Sequence, residues 1–193
     1  MSIVVTGFEP FGPEPINPSQ EIVKTLMEQD TALHCEVLST EYDYAEKRIF
    51  QLMDEHNPAL VLMLGLAESA PKIRMECIAL NIDDASIPDN GGDLRRGLPI
   101  IKGAPLALQT GLDLTATQAK LNAIGHDVAI SNHAGAYICN HIFYTALSHA
   151  ANNGLKTQCL FVHVPTFRPK IEGQRIENMV AVVKGMIKVL SAD

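Results

Sequence analysis

The chain has no clustered run of Lys or Arg, no CxxC pair and no apolar stretch long enough to span a bilayer. Each absence removes a class of protein. Nucleic acids and anionic membranes are bound through a basic face, and 193 residues with a net charge of -7 and no basic run offer none. Four scattered cysteines, Cys35, Cys77, Cys139 and Cys159, supply neither a disulfide framework nor a structural zinc pattern. The longest apolar run, Ala59 to Ala67, is far too short for a membrane helix, and "MSIVVTG" has no basic segment ahead of its apolar residues. A soluble, cytoplasmic protein with a small or neutral ligand is expected. Phosphate signatures are missing too: "TGFEPFG", Thr6 to Gly12, follows an apolar run but has neither GxGxxG nor GK[ST], and its Phe and Pro residues would obstruct the backbone amides that a phosphate needs.

What is present is enough apolar content, 47%, to bury one core, so one domain over residues 1–193 is expected. The runs "SIVVTG", "HCEVLS", "ALVLMLG", "DVAISN" and "QCLFVHV" have the length and residue types of buried strands. Helical spacing covers Pro18 to Gln29 after a capping Asn17, Asp43 to His56, Thr115 to Ile124, Ile138 to Ala151 and Arg175 to Leu190. This alternation predicts an α/β fold, a three-layer α/β/α sandwich with a mostly parallel central sheet and ligand sites among the loops at its strand ends. Asn81 to Pro105, rich in Pro, Gly and Asp, is too long for a plain connector and marks a functional loop.

Chemistry gathers in three places. "DVAIS", the turn "NHAGA" and a helix opening near Tyr137 or Ile138 put Cys139 in a first helical turn, where unpaired amides and the macrodipole favour a thiolate. An isolated cysteine is more often buried filler, so the functional reading requires a base. His163, near the end of the strand run "LFVHVP", reaches the same edge, although a lone strand histidine is more often a hydrogen-bonded core residue; His133 is a reserve partner. His141, Thr145 and His149 share a helix face without an evident acidic ligand, which argues against metal there. Glu76, in the β-like run "IRMECIALN", is expensive to bury unless paired and could orient the imidazole, with Asp83, Asp89 and Asp84 as rivals that spacing alone does not separate. Phe8 and Phe11 have the residue type of ordinary core side chains or of an apolar pocket wall.

"VVTGFEPFG", "INPS", "MECIALNIDDASIPDNGG", "SNHAGAYICNHIFYTALSH" and "FVHVP", in this order over nearly the whole chain, resemble the pyroglutamyl-peptidase I family of cysteine peptidases. The resemblance implies removal of an N-terminal pyroglutamyl residue from peptides by a triad of Glu76, Cys139 and His163, with no metal or cofactor. It also implies a lactam pocket built by Phe8, Phe11, Ile87, Tyr137 and Ile138 with the backbone at Leu66, and a homotetramer. The chain departs from the family pattern at Ser86, commonly Arg, at Glu68 to Ala70 and at Tyr137, where Phe is usual; Arg74, Arg95 or Arg96 could replace the missing charge. Two other readings fit these departures: a thiol hydrolase or amidase for another small acyl group, and a pyroglutamyl-binding homologue without catalysis.

Overall fold

A computed structural model describes residues 2–12 and 15–192. Its centre is β3 (Leu60–Leu66), seven consecutive buried residues, as a strand covered on both faces requires. β1 (Ile3–Phe8) and β7 (Gln158–Val164) flank it in parallel, and β2 (His34–Leu38) extends the sheet beyond β1. On the other side β4 (Arg74–Leu80) runs antiparallel to β7, pairing Arg74 with His163, and carries β6 (Ala129–His133) in parallel and the three-residue β5 (Ala107–Gln109) antiparallel. The order is β2-β1-β3-β7-β4-β5, with β6 also on β4. The sheet is therefore mostly parallel, as expected, and β5 is the strand that sequence patterning does not reveal, being too short for an alternation.

Five α-helices among the described residues make the outer layers. One face of the sheet packs on α2 (Tyr42–His56) and α4 (Ile138–Asn152) through Phe8, Tyr42, Ile49, Ile142, Phe143 and Phe161. The other packs on α1 (Pro18–Gln29), α3 (Leu114–Ala123) and α5 (Ile176–Ser191) through Val5, Leu26, Leu62, Leu121, Val162 and Val183. The helix starts are set locally: Asn17 Oδ1 accepts the Ser19 amide at 3.1 Å, and Asp113 Oδ1 accepts that of Ala116 at 2.9 Å. Such caps contribute about 1 kcal/mol each. Residues 81–106 form no helix and only an isolated bridge, Asp83 to Leu98. No described helix is long and apolar enough to cross a membrane.

Candidate active site

The thiol is positioned by the turn between β6 and α4. Gly135, at φ 84°, takes a left-handed conformation that a side chain would strain, and it returns the chain onto the sheet so that α4 opens at Ile138. No side chain caps that end, which leaves its first-turn amides available. Asn140 fastens the same turn to β4: its side chain accepts from Leu80 N at 2.7 Å and donates to the carbonyls of Leu80 at 2.8 Å and Ile82 at 3.1 Å. The helix that carries Cys139 is thereby tied to the strand that carries Glu76.

Glu76 is fully buried, and its Oε1 accepts from His163 Nδ1 at 2.7 Å and from Arg74 Nε at 2.9 Å. Two donors converge on one oxygen of this side chain, in a place where an unpaired charge would be prohibitive. Its Oε2 is buried without a hydrogen-bond partner. With Nδ1 committed to Glu76, His163 has Nε2 left as its proton-accepting nitrogen. The rivals are occupied elsewhere: Asp83 with His141, Asp89 with the Tyr42 amide, while Asp84 is exposed. His133, the reserve base, uses Nδ1 to accept from Gly135 N.

Cys139 lies against Gly65, the register partner of His163 on the neighbouring strand. A Cβ built on Gly65 would stand 2.7 Å from Cys139 Sγ and 2.7 Å from the Phe161 ring, so only glycine leaves room for the thiol at this point. Gly65→Ala is expected to lower kcat about tenfold or more, because displacing a reacting atom by a fraction of an ångström spoils its line of attack. It should also cost about 1–3 kcal/mol of stability by overpacking. Steady-state kinetics with a thermal melt check this; an unchanged kcat would mean that Sγ has slack.

The expectation that the helix start favours a thiolate is corrected. Burial, with the negative charge of Glu76 behind it, pushes Cys139 up to about 12, while its own backbone amide and the charge of Arg74 pull weakly the other way. The helix start does not outweigh desolvation, and burial favours the protonated form of Cys139. No hydrogen bond joins Sγ to His163 among the described residues. Cys139 is 7% exposed, whereas Cys35 and Cys77 are half-buried.

Of the pocket residues, Phe11 and Tyr137 are brought together with ring centroids 5.8 Å apart, and Tyr137 donates to the Pro88 carbonyl at 3.1 Å. Ile87, 38% exposed, reaches the same corner beside Gly12. Phe8 and Ile138 lie below, in the core cluster that also contains Cys139. Leu66 ends β3 and is buried. The Ser86 side chain is exposed, and Arg96 Nη2 approaches its carbonyl at 3.5 Å, while Arg95 is tied to Asp43, Asp83 and Asp93. Arg74 pairs with Glu76. Sequence reading missed two things: the Arg74 contact, foreshadowed only by its i+2 spacing from Glu76 on one strand face, and the acidic surroundings of His141, which come from remote segments.

An α/β/α fold with an imidazole anchored on a buried carboxylate beside a helix-start thiol defines a class, the thiol-dependent hydrolases. Comparison with known proteins narrows it. The family profile described as pyroglutamyl peptidase matches residues 1–188, and the chain belongs to that family. A pyrrolidone-carboxylate peptidase of Pyrococcus furiosus is 38% identical over 168 residues, 86% of this chain and 81% of its own length. One from Bacillus cereus is 33% identical over 193 residues, 96% and 89% of the two chains. A crystal structure of a mutant pyrrolidone carboxyl peptidase from Pyrococcus furiosus superposes with a TM-score of 0.92 at 34% identity, covering 100% of this chain and 99% of the other. Pyroglutamyl peptidase I from Bacillus amyloliquefaciens gives 0.89 at 26% identity, with 97% and 93% coverage. Neither the other-acyl nor the non-catalytic reading is favoured by these relatives.

Proposed function

We propose that this protein hydrolyses the bond between an N-terminal pyroglutamyl residue and the rest of a peptide, with Cys139 as nucleophile, His163 as base and acid, and Glu76 as the group that orients His163. The observation that carries this assignment is the 2.7 Å bond from His163 Nδ1 to Glu76 Oε1, which leaves Nε2 free on the strand position beside the thiol. The thiol of Cys139 gives its proton to Nε2 as the sulfur attacks the carbonyl, and Glu76 stabilises the resulting imidazolium. First-turn amides of α4 hold the oxyanion, a contribution of about 3 kcal/mol per donor. The imidazolium then protonates the leaving amine, and water, activated by the same nitrogen, hydrolyses the thioester. A thiol at about 12 in the resting state fits this order, because ionisation is coupled to substrate entry rather than preceding it.

Phe11, Ile87 and Tyr137, with Phe8 and Ile138 beneath and the Leu66 backbone at the lactam edge, are the proposed acyl pocket. Pyroglutamate carries no ammonium, so an apolar wall rejects an ordinary N-terminus through the cost of desolvating its charge. Expected is cleavage of a pyroglutamyl-coumarin amide at least about 10²-fold faster in kcat/KM than that of its prolyl and glutaminyl analogues. Preference for either analogue would refute the substrate assignment. A homotetramer and a cytoplasmic place of action belong to the same proposal, supported by the family resemblance, by exposed Leu98 and Leu106, and by four free thiols that suit a reducing compartment.

A further inference from the structure

His141, two residues beyond Cys139 on α4, is 2% exposed and has an acceptor on each ring nitrogen. Nδ1 lies 2.9 Å from Asp83 Oδ2 and 3.1 Å from Asp83 Oδ1, and Nε2 lies 2.8 Å from Glu46 Oε2. Carboxylates only accept, so both contacts are hydrogen bonds only if both nitrogens carry protons. A neutral ring would set one lone pair against a carboxylate oxygen in a buried place. The geometry points to His141 as an imidazolium at neutral pH that acts as a positioning residue, clamping the segment from Asp83 to Leu98 onto α4 and α2 and so setting the acyl-pocket wall.

The clamp can be followed outward. Asp83 bridges to Leu98 through both backbone bonds, at 2.8 and 3.0 Å, and accepts from Arg95 Nη1 at 3.2 Å. Arg95 in turn lies 4.3 Å over the ring of Tyr42, also binds Asp43 and Asp93, and gives its carbonyl to the Ala85 amide. The Tyr42 ring meets His141 edge-on at 5.2 Å and Tyr137 at 5.8 Å, and the Asp84 amide binds the Ala136 carbonyl at 2.8 Å. The segment held in this way carries Ile87 and the Pro88 carbonyl that receives the Tyr137 hydroxyl. The charged and titratable groups around His141 are thus Asp83 and, through it, Arg95 from the loop, with Glu46 and Tyr42 from α2. The two carboxylates raise His141 above the ordinary histidine value in spite of the burial that opposes charge there.

Loss of the proton converts one attraction into a repulsion and loosens the wall without touching Cys139, His163 or Glu76. KM should therefore rise at alkaline pH while kcat follows the triad alone. His141 also binds its proton more tightly folded than unfolded, so its contribution to stability is complete below the ordinary histidine value and is lost as pH rises through the higher folded one. The inference rests on the proposed pocket, and its first readout needs no activity. Nitrogen NMR of ring-labelled protein at neutral pH should find His141 protonated at both nitrogens; a single-proton tautomer there overturns the clamp whatever the substrate. His141→Gln, which keeps one donor, should raise KM about tenfold with kcat within about twofold, and remove the alkaline rise. Glu46→Gln, at a half-exposed position, should move that rise to lower pH and keep the wild-type KM at acid pH. A loss of kcat and melting temperature in His141→Gln at unchanged KM, or a KM profile in Glu46→Gln that matches wild type, would reduce His141 to a packing role.

Discussion

Glu76→Gln should lower kcat by about 10³- to 10⁴-fold while KM changes by no more than a few fold, as expected when the orienting acid of a triad loses its charge. The amide retains the shape of the side chain but not its chemistry. Its one oxygen would have to serve both His163 Nδ1 and Arg74 Nε, which now share Oε1 at 2.7 and 2.9 Å, and its NH₂ group has no acceptor in the place of the partnerless Oε2. A neutral neighbour cannot stabilise the imidazolium, and if the amide turns to offer NH₂ to Nδ1, the ring adopts the tautomer that carries its proton on the wrong nitrogen. Arg74, 30% exposed, can turn its freed charge to water, so the fold should survive with a loss of about 1–3 kcal/mol. Kinetics on pyroglutamyl-coumarin amide with a parallel melt measure both quantities. Retention of a tenth or more of wild-type kcat would show that Glu76 does not orient the base.

Cys139→Ser should be the most damaging change to activity, about 10⁴-fold or more in kcat, with little effect on the fold. The thiol stands in the apolar cluster of Phe8, Ile138, Phe143 and Phe161, in a site whose burial pushes even sulfur up to about 12. A hydroxyl there is harder still to ionise, and its shorter bond to carbon draws the nucleophile back from the substrate. Wild type mixed with a slowly released pyroglutamyl ester should gain the mass of one pyroglutamyl group on the peptide containing Cys139, and Cys139→Ser should not. Equal activity in the two proteins, or a label on Cys77, would remove Cys139 from the mechanism.

These predictions rest on features of different legibility. Helices were readable to within a residue, as with Pro18–Gln29, because their caps and apolar spacing are local. Glu76 was conspicuous because a carboxylate in a β-like run is costly to bury, and its strand, β4, proves antiparallel to β7, which places Arg74 opposite His163. That reversal could not be read, since strand direction depends on the route of the chain between Leu66 and Arg74 and not on the strand itself. The sequence shows no acidic neighbour for His141 on its own helix face. Its two carboxylates lie 58 and 95 positions away in sequence, on a loop and a different helix.

By itself the sequence determined the layered α/β architecture, the order of its motifs, the helix-start position of Cys139 and the conspicuous acid Glu76, because periodicity, capping and the cost of a buried acid are properties of short segments. Tertiary structure alone decided the rest. It joined Glu76 to His163 across 87 positions, set Gly65 where a methyl group would strike the thiol, buried that thiol so that desolvation opposes its ionisation and gave His141 an acceptor at each nitrogen. Desolvation and hydrogen bonding between remote segments depend on distances in the packed molecule, and these exist only once the sheet has brought its strands together.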